Sequence, residues 1–352
     1  MSSAPPVWNW IVAGLTALAA GGCAGNSLLQ APRWEPTGTP LAASSVDDSI
    51  LCRAIAEHFV ALPTVDPKWS SGGTAVGPAP SAGRWWVSHC SATSHGAELV
   101  VALRGPGWYW VDQSSSGIQV RQQVPFEMSL QVTGRLREAA RDGVLSLWFT
   151  PSAQPVVQVT APAALDVAPV NAWGNFLGWV PGVSPAQAAA RRFKQDLTQA
   201  LQSQVQAGAT FTYDLRSGQA DTALGQLPPG KTPSAALSDE PTWSINERLL
   251  LAPDGVQVLG PIDPGALTMN LIVEQGPGVS YRALCQQALR ENYPAIRDGA
   301  FSSVPQSAWL LSNTVSGLGE RTSPLRVEGC KVYLVVSSSS KAYTLASLRV
   351  RS

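Results

Sequence analysis

Ile118-Gln-Val-Arg-Gln-Gln-Val-Pro-Phe-Glu-Met-Ser-Leu-Gln-Val-Thr-Gly134 decides the fold class, because its apolar residues recur at every second position. That period belongs to a strand with one face in a core and the other in water. Ile118, Val120 and Val124 share one face. Met128, Leu130 and Val132 share another, and Pro125-Phe126 between them reads as a bend or an edge. Working toward the C-terminus, Asp142-Gly143 is a hairpin signal. Strands are expected on either side of it and again over 156–160. Toward the N-terminus, strands are expected over 85–90, 98–104 and 108–111.

A second pattern, of period 3.6, follows these strands. Ser184 can cap a helix with Pro185 in its first turn and Gln187 completing a capping box, and Gly208 can end it. Ala189, Phe193, Leu197, Ala200, Leu201 and Val205 form one stripe, so a helix is predicted over 184–207. Phe211, Tyr213 and Leu215 then alternate as a half-buried strand. An earlier helix is predicted over 46–62, capped by Ser45, with Ile50, Leu51, Ile55 and Phe59 as its stripe. In the last third, strands are predicted near Leu249 and Val256 and over 267–274, 325–336 and 343–350. A helix is predicted over 280–292, stopped before Pro294.

These patterns predict an α+β fold: mostly antiparallel β, with a long amphipathic helix against a curved sheet and a smaller disulfide-bearing C-terminal α+β region. The division expected is a signal segment over 1–22, a flexible tether over 23–45 and an α+β domain over 46–225. A Pro/Gly-containing linker over 226–241 and a C-terminal α+β domain over 242–352 complete it.

Composition narrows the function. The chain has 352 residues, 45% apolar and only 14% charged, with zero formal net charge. No basic tract is present to neutralise phosphates, so a nucleic-acid partner is not expected. Three histidines, His58, His89 and His95, stand in no HExxH pattern, and the chain has no GxSxG motif. No cofactor, metal or enzymatic activity is expected. Cys52, His58, His89 and Cys90 match no standard zinc spacing, and a disulfide accounts for both cysteines.

The stretch Ile11-Val-Ala-Gly-Leu-Thr-Ala-Leu-Ala-Ala-Gly-Gly-Cys23 is apolar and ends in small residues before a cysteine. It is shorter than the roughly 20 residues a spanning helix needs. It resembles the lipobox of bacterial lipoproteins, with Ala20 where that family prefers leucine. The resemblance implies lipidation of Cys23, removal of the preceding segment and attachment to a membrane through the lipid. In the family's sorting pattern an aspartate after the cysteine favours the inner membrane. Ala24 therefore points to the periplasmic face of the outer membrane. Export to an oxidising compartment makes the four remaining cysteines disulfide candidates. Three pairings are open, and Cys52 with Cys90 and Cys285 with Cys330 is favoured because each pair then stays within one region.

The order of strands, amphipathic helix and strand over 118–160 and 184–215 is similar to the tubular lipid-binding (TULIP) superfamily. That resemblance implies an apolar channel and a lipid or other hydrophobic ligand, with Phe193 and Leu197 as contacts. The loop Asn171-Ala-Trp-Gly-Asn-Phe-Leu-Gly-Trp-Val-Pro-Gly182 reads as a pocket mouth or a membrane-facing lip, with Trp173 and Trp179 as contacts, or as a plug at the end of a core. The rival is a structural or protein-interaction lipoprotein whose core its own side chains fill, with a partner the sequence does not name. A third reading uses Trp85, Trp86, Trp108 and Trp110 as a platform for sugar or peptidoglycan. Adjacent Trp85 and Trp86 point to opposite faces of a strand, which favours packing.

Overall fold

The structure, a computed structural model, describes residues 39–41, 52, 55–57, 59–64, 80–115, 117–171, 184–216, 220–224, 244–338 and 340–351. The signal segment, Cys23, Trp173, Trp179 and the linker over 226–241 lie outside the described residues.

Nineteen strands are described. The first nine are β1 Thr39–Leu41, β2 Phe59–Pro63, β3 Ser81–Trp86, β4 His89–His95, β5 Glu98–Ser115, β6 Ile118–Arg141, β7 Val144–Pro151, β8 Val156–Thr160 and β9 Ala168–Pro169. Helix α1, Pro185–Gln206, leads to β10 Ala209–Asp214 and β11 Ala220–Leu224. The C-terminal region holds β12 Ile245–Leu251, β13 Val256–Ile262, β14 Gly265–Gln275 and β15 Gly278–Cys285. Helix α2, Gln286–Arg297, follows, then β16 Trp309–Ser316, β17 Gly319–Val327, β18 Val332–Ser337 and β19 Thr344–Arg351.

The β5–β6 hairpin is the frame. Its register runs from Ser115 opposite Ile118 to Leu99 opposite Gly134 without a shift. Pro125 therefore interrupts nothing. Val120, Val124, Phe126, Met128, Leu130, Val132 and Leu136 all face one core, correcting the expected change of face at Pro125-Phe126. Pro125 falls where the far edge of β6 pairs with neither β9 nor β8, a setting in which strands tolerate proline. At the β6–β7 turn, Asp142 and Gly143 both adopt positive φ, as a type I′ hairpin requires.

The two short strands predicted over 98–104 and 108–111 are one. β4 pairs with β5 up to Arg104, and β3 takes over the same edge from Gly107. Gly105 sits at the handover. A Cβ there would lie 1.7 Å from the Trp86 carbonyl oxygen, so only glycine fits, and the Trp85 Nε1 donates to the Gly105 carbonyl at 3.1 Å.

One sheet runs β11-β10-β7-β6-β5-β3-β12-β19-β14-β17, with β1, β2, β4, β8 and β9 paired off that path. A second sheet, β13-β18-β15-β16, faces its C-terminal end. Between them lie Leu251, Leu271, Tyr281, Leu334 and Leu348, a sandwich core. Helix α1 covers the other end. The Gln187 amide donates to the Ser184 side chain at 3.3 Å, and Gly208 has a φ of +86°. Its Ala190, Phe193, Leu197 and Leu201 enter the core under β5 and β6.

The expected α+β class is therefore corrected. The chain is mostly β, with sheets rather than a long amphipathic helix organising both ends, and its C-terminal region is a two-sheet sandwich. Other expectations shift with it. Thr39–Leu41, in the expected tether, pairs with β6. Phe59–Pro63, in the expected first helix, pairs with β3, because Phe59 and Val60 meet Trp86 and Trp85 across the ladder. Gly278–Cys285 is a strand: Val279, Tyr281 and Ala283 alternate into the sandwich. The helix starts later and runs through Pro294. The strand expected over 325–336 is two strands in different sheets, parted by Gly329 at a φ of +80°.

Candidate binding groove

The disulfides are Cys52–Cys90 and Cys285–Cys330, the favoured pairing. Phe193 and Leu197 are 7% and 8% exposed, with the Phe193 ring 6.0 Å from Tyr109 and 6.5 Å from Phe126. They fill the interior instead of lining an open surface.

The tryptophans do not form a platform. Trp85 joins the core under α1, Trp86 and Trp108 join a cluster with α2, and Trp110 packs with Leu250 and Leu345. All four are buried. Trp86 and Trp108 instead weld the two ends of the molecule. Phe59 stacks on Trp86 at 5.5 Å, and Tyr293 of α2 meets Trp86 edge-on at 4.1 Å. Arg84, itself buried, pairs with Glu247 beside the parallel β3–β12 contact. The Gln257 amide donates to the carbonyls of both Ser81 and Leu250 at 2.9 Å.

Glu57 completes this joint. Its φ of +66° is uncommon for a residue with a side chain. The surroundings hold it there. Its N–H donates to the Val87 carbonyl at 2.6 Å, and its own carbonyl accepts from the Tyr333 hydroxyl at 2.7 Å. Its carboxylate accepts from Gln286 and pairs with Arg290, at the start of α2 where helix polarity favours an anion. Burial raises the Tyr293 and Tyr333 hydroxyls above the usual phenol range, so both stay protonated across physiological pH.

An open concavity lies elsewhere, on the face of β4, β5, β6 and β8 turned away from α1. It is a groove of about 480 Å³. Strand register builds its floor. His89 stands opposite Arg104, Arg104 opposite Ser129, and Ser129 opposite Gln158. Two residues along, Ser91, Ala102, Gln131 and Val156 form a parallel row. Each row crosses four strands, a width of about 14 Å at the usual strand spacing. Small side chains at Ser91 and Ala102 keep the second row low. His89 Nδ1 lies 2.9 Å from the Ser88 hydroxyl, which donates to the Arg104 carbonyl at 3.2 Å.

Sequence reasoning misses this groove. Its polar residues sit at positions that read as the solvated side of strands, and only the pairing register across four strands assembles them. Alternation at Gln131 and Ser129 marks the face, but nothing local marks the row. Among the described residues, no cluster of three or more His, Cys, Asp or Glu side chains is placed to hold a metal. No described helix is long and apolar enough to cross a membrane.

No protein-family model matches the chain, and no curated protein matches it. Among solved structures it aligns with an exo-beta-1,3-galactanase from Phanerochaete chrysosporium with galactose. The identity is 7% and the TM-score 0.18, over 78% of this chain and 84% of that one. It also aligns with a structure of the SMP domain and two C2 domains of Extended-Synaptotagmin 2. There the identity is 8% and the TM-score 0.13, over 76% of this chain and 53% of that one, about half its length. Superpositions this loose determine neither fold nor function.

Proposed function

We propose that the chain is an exported, lipid-anchored protein of the cell envelope that acts by binding a partner and not by catalysis. One observation carries the reading. Of the side chains an apolar channel would need, Phe193 is packed against Tyr109 and Phe126, and Leu197 is buried in the same core. Among the described residues, the open face of β4, β5, β6 and β8 offers polar side chains to a partner. Two disulfides agree with an oxidising compartment, and the apolar stretch ending at Cys23 supplies the anchor.

The test has two arms. Cys23→Ser should move the protein out of the membrane fraction and abolish acyl labelling. Native mass spectrometry of the released protein should give a bare mass. Continued membrane retention of the variant overturns the anchor. A mass increment equal to a lipid overturns the filled core and restores the hydrophobic carrier.

A further inference from the structure

We infer that the groove over β4, β5, β6 and β8 binds an acidic sugar segment, with Arg104 taking its carboxylate. The inference rests on the binding role proposed above and names the ligand class for that surface.

Charge is the first argument. Arg104 is exposed at the groove and makes no ion pair among the described residues. Three other arginines of the same sheet are paired, Arg135 with Glu98, Arg121 with Asp112 and Arg84 with Glu247, while Arg321, Arg349 and Arg351 lie on β17 and β19, away from the groove. Among the described residues, no carboxylate lines the groove. Glu127 lies on the next row of β6, opposite Pro106 and Thr160, outside the lining. A guanidinium offers five donors in a planar fork that fits a carboxylate with two parallel hydrogen bonds.

The second argument is the rest of the lining. Gln131 and Gln158 each offer an amide that both donates and accepts, and Ser91 and Ser129 add hydroxyls. Such a set satisfies neighbouring hydroxyls of a sugar ring, which also donate and accept. A volume of about 480 Å³ lies in the range of small-ligand sites, roughly 300–1,000 Å³, and the two rows hold one or two rings. An acidic peptide fits less well. Strand addition would run along the outer edge of β4 or β8, whereas the lining is the face of the four strands and not an edge. Among the described residues, the lining contains no aromatic side chain other than the His89 imidazole. Stacking on Trp, Tyr or Phe then contributes nothing, and an affinity near the millimolar range is expected.

The experiment titrates the full chain in detergent micelles with a galacturonate trimer, and separately with a neutral galactose trimer and a glutamate trimer, by heteronuclear NMR. The expected result is saturable shifts on β4, β5, β6 and β8 with the galacturonate trimer alone. Arg104→Ala should weaken binding at least about tenfold, as loss of a charged hydrogen bond does. Arg104→Lys should recover part of it, and Arg135→Ala should leave it unchanged. Circular dichroism of each variant verifies folding. Equal binding of the neutral trimer removes the role of Arg104, and equal binding of the glutamate trimer replaces the sugar with an acidic peptide. Either result overturns the inference, as does the absence of shifts at about ten times the expected millimolar dissociation constant. Each leaves the Cys23 and native-mass results standing, so the groove assignment fails separately from the wider role.

Discussion

From Val124 to Leu136 every second residue of β6 is buried, whereas all six residues of β18, Val332–Ser337, are buried. The two strands belong to differently built regions. β6 lies in a sheet with one face on a core and α1, and the other face partly open. β18 lies between two apolar layers: Val332, Leu334 and Val336 enter the sandwich, while Tyr333 and Val335 meet α2 and the tryptophan joint. One-sided burial leaves a polar face on which pairing register can assemble a site. Two-sided burial commits both faces to stability. The candidate groove is accordingly in the first region, and the joint between regions is sealed with aromatics.

The sharpest way to break the comparison is at that joint. Trp86→Ala removes a ring stacked on Phe59 and edge-on to Tyr293, and should cost about 3–5 kcal/mol. Ser129→Ala, on the open face of β6, should stay within about 0.5 kcal/mol. Urea midpoints measure both. A Trp86→Ala midpoint equal to that of Ser129→Ala would mean the two regions are stabilised independently, and the joint described would have to be given up.

That contrast also explains what was legible. The alternation at 118–134, the Asp142-Gly143 turn and the Ser184 and Gly208 caps are local signals, and the structure holds each of them. Two-sided burial was the hard case. In Gly278–Cys285 the strand period of Val279, Tyr281 and Ala283 runs directly into the helix stripe of Leu289, Tyr293 and Ile296. The expected helix over 280–292 spans part of both. Leu325 to Val336 likewise read as one run, although Gly329 and Cys330 turn the chain into another sheet. Trp86 and Trp108 carry no local sign of their partners, since Phe59, Tyr293 and Tyr333 come from distant parts of the chain. The groove was invisible for the same reason: His89, Arg104, Ser129 and Gln158 become one row only through three separate strand pairings.

A second test sharpens the one-sided region. If α1 closes its core, Leu197→Ala should cost about 2–5 kcal/mol and Phe193→Ala about 3–5 kcal/mol. Arg192→Ala breaks an ion pair with Asp196 at 3.0 Å, on the helix surface. It should cost only about 0.3–0.5 kcal/mol. Leu197→Trp should overpack the core by about 1–3 kcal/mol. Matching thermal denaturation curves for Leu197→Ala and Arg192→Ala would show that α1 does not close this core.

The smallest expected effect separates the regions by pH. Tyr293 and Tyr333 belong to the joint, are 5% and 1% exposed, and burial raises both hydroxyls above 10.0. In the unfolded chain these phenols lose protons near pH 10. The folded state holds its protons to higher pH, so above that point the unfolded state binds fewer protons and stability falls as pH rises. Each tyrosine should therefore contribute its full share below about pH 10 and lose roughly 1.4 kcal/mol per pH unit above it. The loss continues until the folded-state value is passed. Tyr333 is a poor probe, because its hydroxyl also satisfies the Glu57 carbonyl. Tyr293 is the better one: its hydroxyl is buried with no hydrogen-bond partner among the described residues. Tyr293→Phe should leave stability at pH 8 little changed and make the alkaline slope shallower by about 1.4 kcal/mol per unit. Every other titratable group is common to both proteins, so the difference between the two slopes isolates this phenol. An unchanged slope, read from urea unfolding at half-unit steps above pH 10, would place Tyr293 in contact with water and open the aromatic joint that the comparison depends on.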